Sequence, residues 1–431
     1  MPATDPHQAL HRTIEAVWRI ESARVIAGLA RLTRDVELAQ DLAQEALLAA
    51  LEQWPRSGVP DQPGAWLTAT AKRRAIDLFR RNAVAARKHE ELARELEALE
   101  QTSPDFDSAL DETIGDDLLR LVFIACHPIL PAESRAALAL RLLGGLTTDE
   151  IARAFLAPEP TIAQRIVRAK RTLADKRVPF EVPRGPEFAA RLSSVLEVIY
   201  LIFNEGYSAT AGDDLMRPAL CEDALRLGRI LAGLTPAEPE VHGLVALMEI
   251  QASRARARIT SAGEPVLLLD QNRAQWDQLL IHRGLAAIER AHHINTARGP
   301  YLLQAEIAAC HARARTPPET DWPGIVALYD ELAQLTPSPV IELNRAVAVS
   351  MAQGPQAGLT LVDALASEPS LARYHLLPSV RADLLHKLGR LSEARSEFER
   401  AAALTGNNRE RDLLLARAAS CGAGPSPSSG E

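Results

Sequence analysis

At 431 residues the chain is long enough for two to four domains, and a composition 47% hydrophobic but only 4% aromatic, rich in Ala, Leu, Arg and Glu, points to an all-α protein. Cys126, Cys221, Cys310 and Cys421 lie far apart without a CxxC pair, so neither a zinc site nor a disulfide framework is expected. The start lacks a basic-then-apolar signal and no segment holds the roughly 20 apolar residues a bilayer requires, so a soluble cytoplasmic chain with no membrane partner is expected; its net charge is −8.

In chain order, Gln8 to Ala30 reads as one amphipathic helix. Asp35 to Trp54 reads as a second, with Leu38, Leu42, Ala46 and Leu47 inward and the acidic or amide residues Asp41, Gln44 and Glu45 outward. Trp54 to Gly64 holds three prolines and two glycines and predicts a loop. Ala65 to Arg81 returns to a helix, and Lys72 to Lys88 carries seven Lys or Arg against one Asp. Cations interleaved with Trp66 and Phe79 suit melted DNA, because rings stack on unpaired bases while guanidinium groups hold phosphates. At helical spacing, however, both rings are expected to pack inward. His89 to Glu112 is acidic and reads as a flexible connector.

Leu138 to Leu173 is the most informative stretch: two short helices joined by a tight turn. Gly144 and Gly145 break a preceding helix, Thr147 or Thr148 caps the next, and Asp149 and Glu150 fill its first turn. Ala157 to Pro160 forms the turn. Thr161 is expected to cap a helix with Ile162, Ile166, Ala169 and Leu173 inward and Gln164, Arg165, Arg168, Lys170 and Arg171 outward. Thr161 to Arg177 carries six Lys or Arg against one Asp, so positive charge is gathered where phosphates could be met.

After the break at Pro179 to Pro186 the helical pattern continues. Glu205, Tyr207, Asp213, Asp214, Asp270, Gln271, Arg273 and Trp276 could form a site, but acid and amide side chains near helix ends are expected to cap and bridge helices instead. His292 and His293 are adjacent and point to different sides of a helix, so no metal site follows. Ala382, Leu385, Gly389, Ala394, Phe398, Ala401 and Leu404 fall where a tetratricopeptide repeat places its packing residues. Trp322 to Pro337 repeats the second helix of that unit, and Glu342 to Leu365 is a looser copy. No GxGxxG after a strand, GxxxxGK[ST], GxSxG or HExxH occurs, so no enzyme and no cofactor is expected.

An acidic DLAQEALLAALEQW helix, a proline-rich loop, an AWLTATAKRRAIDLFRR helix and a later helix-turn-helix ending in RAKRTL resemble, in that order, bacterial sigma factors of the extracytoplasmic-function (ECF) group. The resemblance implies two small helical domains, a polymerase-binding and −10 domain at 8–88 and a −35 domain at 116–180. An acidic linker at 89–115 would separate them. It implies that Asp41, Gln44 and Glu45 face core RNA polymerase and that Trp54 to Ala65 captures a flipped −10 base. Trp66, Arg73, Arg74, Asp77, Arg80 and Arg81 would lie along the −10 element, and Thr161, Gln164, Arg165, Arg168 and Arg171 along the −35 element. Leu156 stands where the family often has Gly, and Ala163 where a polar residue is common, which leaves the promoter preference open. Members usually end soon after the helix-turn-helix. Here a helical connecting domain at 187–295, a repeat-like solenoid at 296–419 and a disordered tail at 420–431 are expected, the repeats taking a protein or ligand partner. The alternative is a helix-turn-helix regulator or repeat adaptor that does not engage polymerase.

Overall fold

In the computed structural model, the described residues are 6–83, 107–155, 157–209, 211–260, 263–294 and 297–422. The chain divides into two compact units, one ending at Ile199 and one beginning at Tyr200, and both are helical.

The first unit opens with α1 (Pro6–Thr33), α2 (Val36–Ser57) and α3 (Pro63–Ala83), which pack against one another. Asp35 starts α2 by accepting hydrogen bonds from the backbone N–H of Glu37 and Leu38 at 2.8 and 3.1 Å, which satisfies two of the free donors of a helix start. The alternation of small and large residues along α2 buries Ala39, Leu42, Ala43, Ala46, Ala50 and Trp54 against Ile26, Leu29, Leu67, Ala71 and Ala75. The proline-rich loop is shorter than the sequence suggested. Helix α2 runs through Pro55 to Ser57 and stops at Gly58, whose φ of 80° suits glycine, and α3 begins on Pro63, whose missing N–H costs nothing in a first turn.

Then come α4 (Asp107–Ala125), α5 (Ala132–Leu142), α6 (Thr148–Ala154) and α7 (Glu159–Asp175). Helix α4 begins inside the stretch expected as linker; the rest of the connector, like Leu156 and most of the expected tail, lies outside the described residues. Asp117 of α4 is almost fully buried yet bonded by Arg31 of α1 at 3.0 Å and by Arg120 at 2.5 Å. Burial raises its pKa and the two guanidinium groups oppose that. Leu118, Leu121, Val122, Leu138, Leu142, Ile151, Ile162 and Ile166 fill the interior of this part.

Helix α8 (Pro186–Tyr207) follows the PFEVPRGP break, and its residues up to Ile199 belong to the first unit. There Arg191 donates to the Phe123 carbonyl at 2.9 Å, Ser194 donates to the Cys126 carbonyl at 2.7 Å, and the buried Arg135 reaches Ser194 and Glu197. The thiol of Cys126, enclosed there, is pushed up to about 12 by burial.

The second unit carries α9 (Pro218–Leu234), α10 (Pro239–Ala252), α11 (Gln278–His293), α12 (Pro300–Arg313), α13 (Trp322–Leu335), α14 (Pro339–Gln353), α15 (Pro355–Ala364), α16 (Leu376–Lys387), α17 (Leu391–Leu404) and α18 (Asn408–Ser420). Helix α10 is buried on nearly all sides between α9, α11 and α12. At Gly243 a Cβ would stand 2.6 Å from the Leu302 backbone nitrogen, so only glycine allows α12 to approach. From α12 onward each helix packs on the next. Ala382, Leu385, Ala394, Phe398 and Ala401 are fully buried in the core around α16 and α17, while Leu404 is half-buried. Glu342 to Leu365 spans two helices, α14 and α15, since Gly354 with φ of 100° and Pro355 interrupt it. Two-residue strands β1 (Ala211–Gly212) and β2 (Gly406–Asn407) pair in parallel. The buried Asn407 amide fastens that join by donating to the Ala209 and Asp214 carbonyls at 3.1 and 2.9 Å.

Candidate nucleic-acid interface

The sequence LTTDEIARAF sets α6 in place. Thr147 accepts from the Glu150 N–H at 3.1 Å while the Glu150 carboxylate accepts from the Thr147 N–H at 2.8 Å, a closed capping box. The same carboxylate receives Arg19 of α1 at 2.6 Å. Burial works against its ionisation, but the Thr147 hydrogen bonds and the Arg19 charge hold Glu150 below the usual carboxylate range. Before it, Gly145 adopts φ of 70° with the Ser22 hydroxyl 2.8 Å from where a Cβ would stand, so the turn seats directly on α1.

Helix α7 begins three residues earlier than the sequence suggested. It starts at Glu159 with Pro160 in its first turn and no side-chain cap, so Thr161 lies inside the helix, exposed, and is not its cap. Ile162, Ile166, Ala169 and Leu173 are buried. With 3.6 residues per turn, positions 164, 167, 168 and 171 stand opposite that stripe and positions 165 and 170 flank it. The outcome follows the geometry: Gln164, Arg168 and Arg171 are exposed. Arg165 leans sideways to Glu133 of α5 at 2.5 Å and is only 32% exposed. Lys170 is not an outward residue. Burial lowers its pKa, and the acids that oppose this are Glu37, Asp41 and Asp35 near the start of α2. Val167, 55% exposed in the middle of the polar stripe, was missed by the sequence reading, although its spacing of three from Gln164 would have placed it.

On α2, Asp41 and Glu45 are exposed and Gln44 is half-buried. The Glu45 carboxylate bonds Arg74 of α3 at 2.8 Å, so residues expected to face two different partners meet each other. On α3, Arg73, Asp77 and Arg80 are exposed, and the side chain of Arg81 lies outside the described residues. Phe79 is core. Trp66 is half-buried and packs edge-on against the buried Trp54, with ring centroids 5.3 Å apart. No group of His, Cys, Asp or Glu that could hold a metal occurs among the described residues, and no described helix is long and apolar enough to cross a membrane.

Residues 19–84 match Sigma-70 region 2, residues 120–173 match Sigma-70 region 4, and residues 191–292 match a family of unknown function, DUF6596. An uncharacterized protein of Rhizobium meliloti is 45% identical over 389 residues, 90% of each chain. A "Probable ECF RNA polymerase sigma factor SigI" of Mycobacterium tuberculosis is 25% identical over 172 residues, 40% of this chain and 58% of its own length. The "ECF RNA polymerase sigma-E factor" of Haemophilus influenzae is 35% identical over 75 residues, 17% of this chain and 39% of its own. No solved structure matches.

Proposed function

Since the chain belongs to the ECF-type sigma factors and carries a C-terminal helical extension, we propose that it binds core RNA polymerase and directs it to specific promoters, with the extension regulating that act or holding a partner. Asp41, Gln44 and Glu45 of α2 would meet polymerase. Trp66, Arg73, Arg74, Asp77, Arg80 and Arg81 of α3 would lie along the −10 element. Trp66 would act from its present half-buried seat, as a ring edge rather than a free stacking platform.

For the −35 element the reading assigns Thr161, Gln164, Arg165, Arg168 and Arg171, and adds Val167. An amide and guanidinium groups read base edges or phosphates in the major groove, and an apolar side chain among them suits a thymine methyl. The observation that carries the proposal is α7 itself, with its apolar stripe buried and Gln164, Val167, Arg168 and Arg171 standing together on the open side. The domain limits drawn from the sequence, the repeat-like reading of 296–419 and a cytoplasmic setting belong to the same proposal, which requires no catalytic chemistry of the chain.

Run-off transcription with purified core polymerase on the promoter upstream of its own gene tests it. The full chain should give specific starts absent from core alone, and Arg168→Ala with Arg171→Ala should remove them. Promoter binding without any start would overturn the reading in favour of a regulator that does not engage polymerase.

A further inference from the structure

Three arginines of the second unit gather where α10 ends and the chain turns toward α11. Arg258 lies over the Tyr207 ring with its guanidinium carbon 3.7 Å from the centroid. Arg254 lies 5.8 Å from that ring and 5.8 Å from the Trp276 ring, and Arg273 lies 5.2 Å from Trp276. Arg254 therefore sits between two rings, each of which carries a second guanidinium.

Cations on ring faces are favourable, but three like charges close together in a half-buried place are not, unless an anion joins them. None of the three forms an ion pair among the described residues. The nearby carboxylates are engaged elsewhere: Glu205 with Arg217, Glu249 with Arg229, Glu319 with the Arg315 backbone and Thr316, and Glu410 with His375 and Thr405. Arg258 and Arg273 spend their described bonds on neutral oxygens, the Tyr207, His311 and Ala314 carbonyls and the Thr320 hydroxyl.

Several polar atoms here also lack a partner. The Nε of Arg254, the Nε of Arg273, the Nε1 of Trp276 and the Nδ1 of His311 are buried without a hydrogen bond, and the last three belong to residues more than nine-tenths buried. Buried donors without acceptors are rare and costly, and a cluster of them beside guanidinium groups that have no ion-pair partner suits a bound anion. The charges are felt locally. Burial first, then Arg254 and Arg273, push His311 down to about 4, and burial followed by Arg254 lowers Arg273.

We propose that Tyr207, Arg254, Arg258, Arg273 and Trp276 form a binding site for a small oxyanion, the carboxylate or phosphate group of a low-molecular-weight ligand. The planar fork of Arg254, held between Tyr207 and Trp276, is the group suited to bidentate capture of such an anion. The buried donor on Trp276 favours a small ligand over a protein surface, which could not reach so far in. All five residues fall within the segment matching the family of unknown function, so the site is independent of the helices assigned to polymerase and DNA.

Isothermal titration of the full-length chain with inorganic phosphate and, separately, with acetate, at constant ionic strength in chloride, tests the proposal and tells the two sources of oxyanion apart. A saturable heat is expected from at least one. Arg254→Gln should weaken it about tenfold or more, Arg254→Lys should weaken it less, and Trp276→Phe should weaken it while keeping the ring. Circular dichroism identifies a variant that fails to fold, in which case Arg254→Lys and Trp276→Phe decide. No saturable heat from either anion, or an affinity unchanged in the folded variants, would overturn it.

Discussion

The guanidinium groups of α3 and α7 in the first unit and those around Trp276 in the second are used in opposite ways. In the first, those of α3 and α7 stand at the surface: Arg73, Arg168 and Arg171 are exposed, and Arg74 and Arg165 are held by the chain's own Glu45 and Glu133. In the second, Arg254, Arg258 and Arg273 lie against aromatic rings and form no ion pair among the described residues. Exposed arginines cost the fold little and are available to a partner, whereas buried ones are committed to the structure or to a ligand. A substitution at Arg273 should therefore cost stability, and one at Arg168 binding.

The largest effect is expected at Arg273. It is 9% exposed and bonds the His311 and Ala314 carbonyls at 2.9 and 2.7 Å and the Thr320 hydroxyl at 3.0 Å. Arg273→Ala strands three acceptors, each costing about 1 to 3 kcal/mol, so urea unfolding should show a loss of about 3 kcal/mol or more. A loss under about 1 kcal/mol would mean that this arginine is no more structural than those of α7.

His311, next to it, gives the second unit an acid limit. Its folded pKa of about 4 lies below the ordinary 6.5, so between those values the unfolded chain binds a proton that the folded chain does not. Stability then falls as pH drops through that window, by up to about 1.4 kcal/mol per pH unit. Urea unfolding at pH 5 and pH 7 checks this. In His311→Gln the difference between the two should shrink, and an unchanged difference would place the acid sensitivity elsewhere.

At Arg168 the order reverses. Arg168→Ala should leave unfolding unchanged but cost about 1 to 3 kcal/mol in promoter affinity if it reads a base, or lower the salt slope by about one if it holds a phosphate. This half of the contrast was legible in the sequence, because a surface helix writes its two faces at a period of 3.6: Ile162, Ile166, Ala169 and Leu173 on one side, Gln164, Arg168 and Arg171 on the other. What the period hid was the edge of the stripe, where Arg165 and Lys170 turn toward acids on other helices. The oxyanion cluster was hidden more deeply. Gln271, Arg273 and Trp276 read as ordinary cap and bridge residues, and Asp213 does bridge, accepting from Asn408 at 2.7 Å. The arginines that give the place its charge are contributed by distant positions, and no local pattern joins residue 207 to 254 and 273.

The smallest effect separates the surface arginines from one another. The Arg74 and Glu45 side chains are 39% and 51% exposed and 2.8 Å apart, so their pairing should be worth about 0.2 to 1 kcal/mol to the fold in a double-mutant cycle. Its consequence for DNA has a sign. If Arg74 leaves Glu45 to meet a phosphate, Glu45→Gln releases it beforehand. Binding to promoter DNA should then tighten slightly as the salt slope steepens. Fluorescence anisotropy over a salt series reads both quantities. Weaker binding in Glu45→Gln would mean that the carboxylate positions Arg74 for DNA, and this pair would then join the second unit's arginines as one whose geometry the fold has fixed in advance.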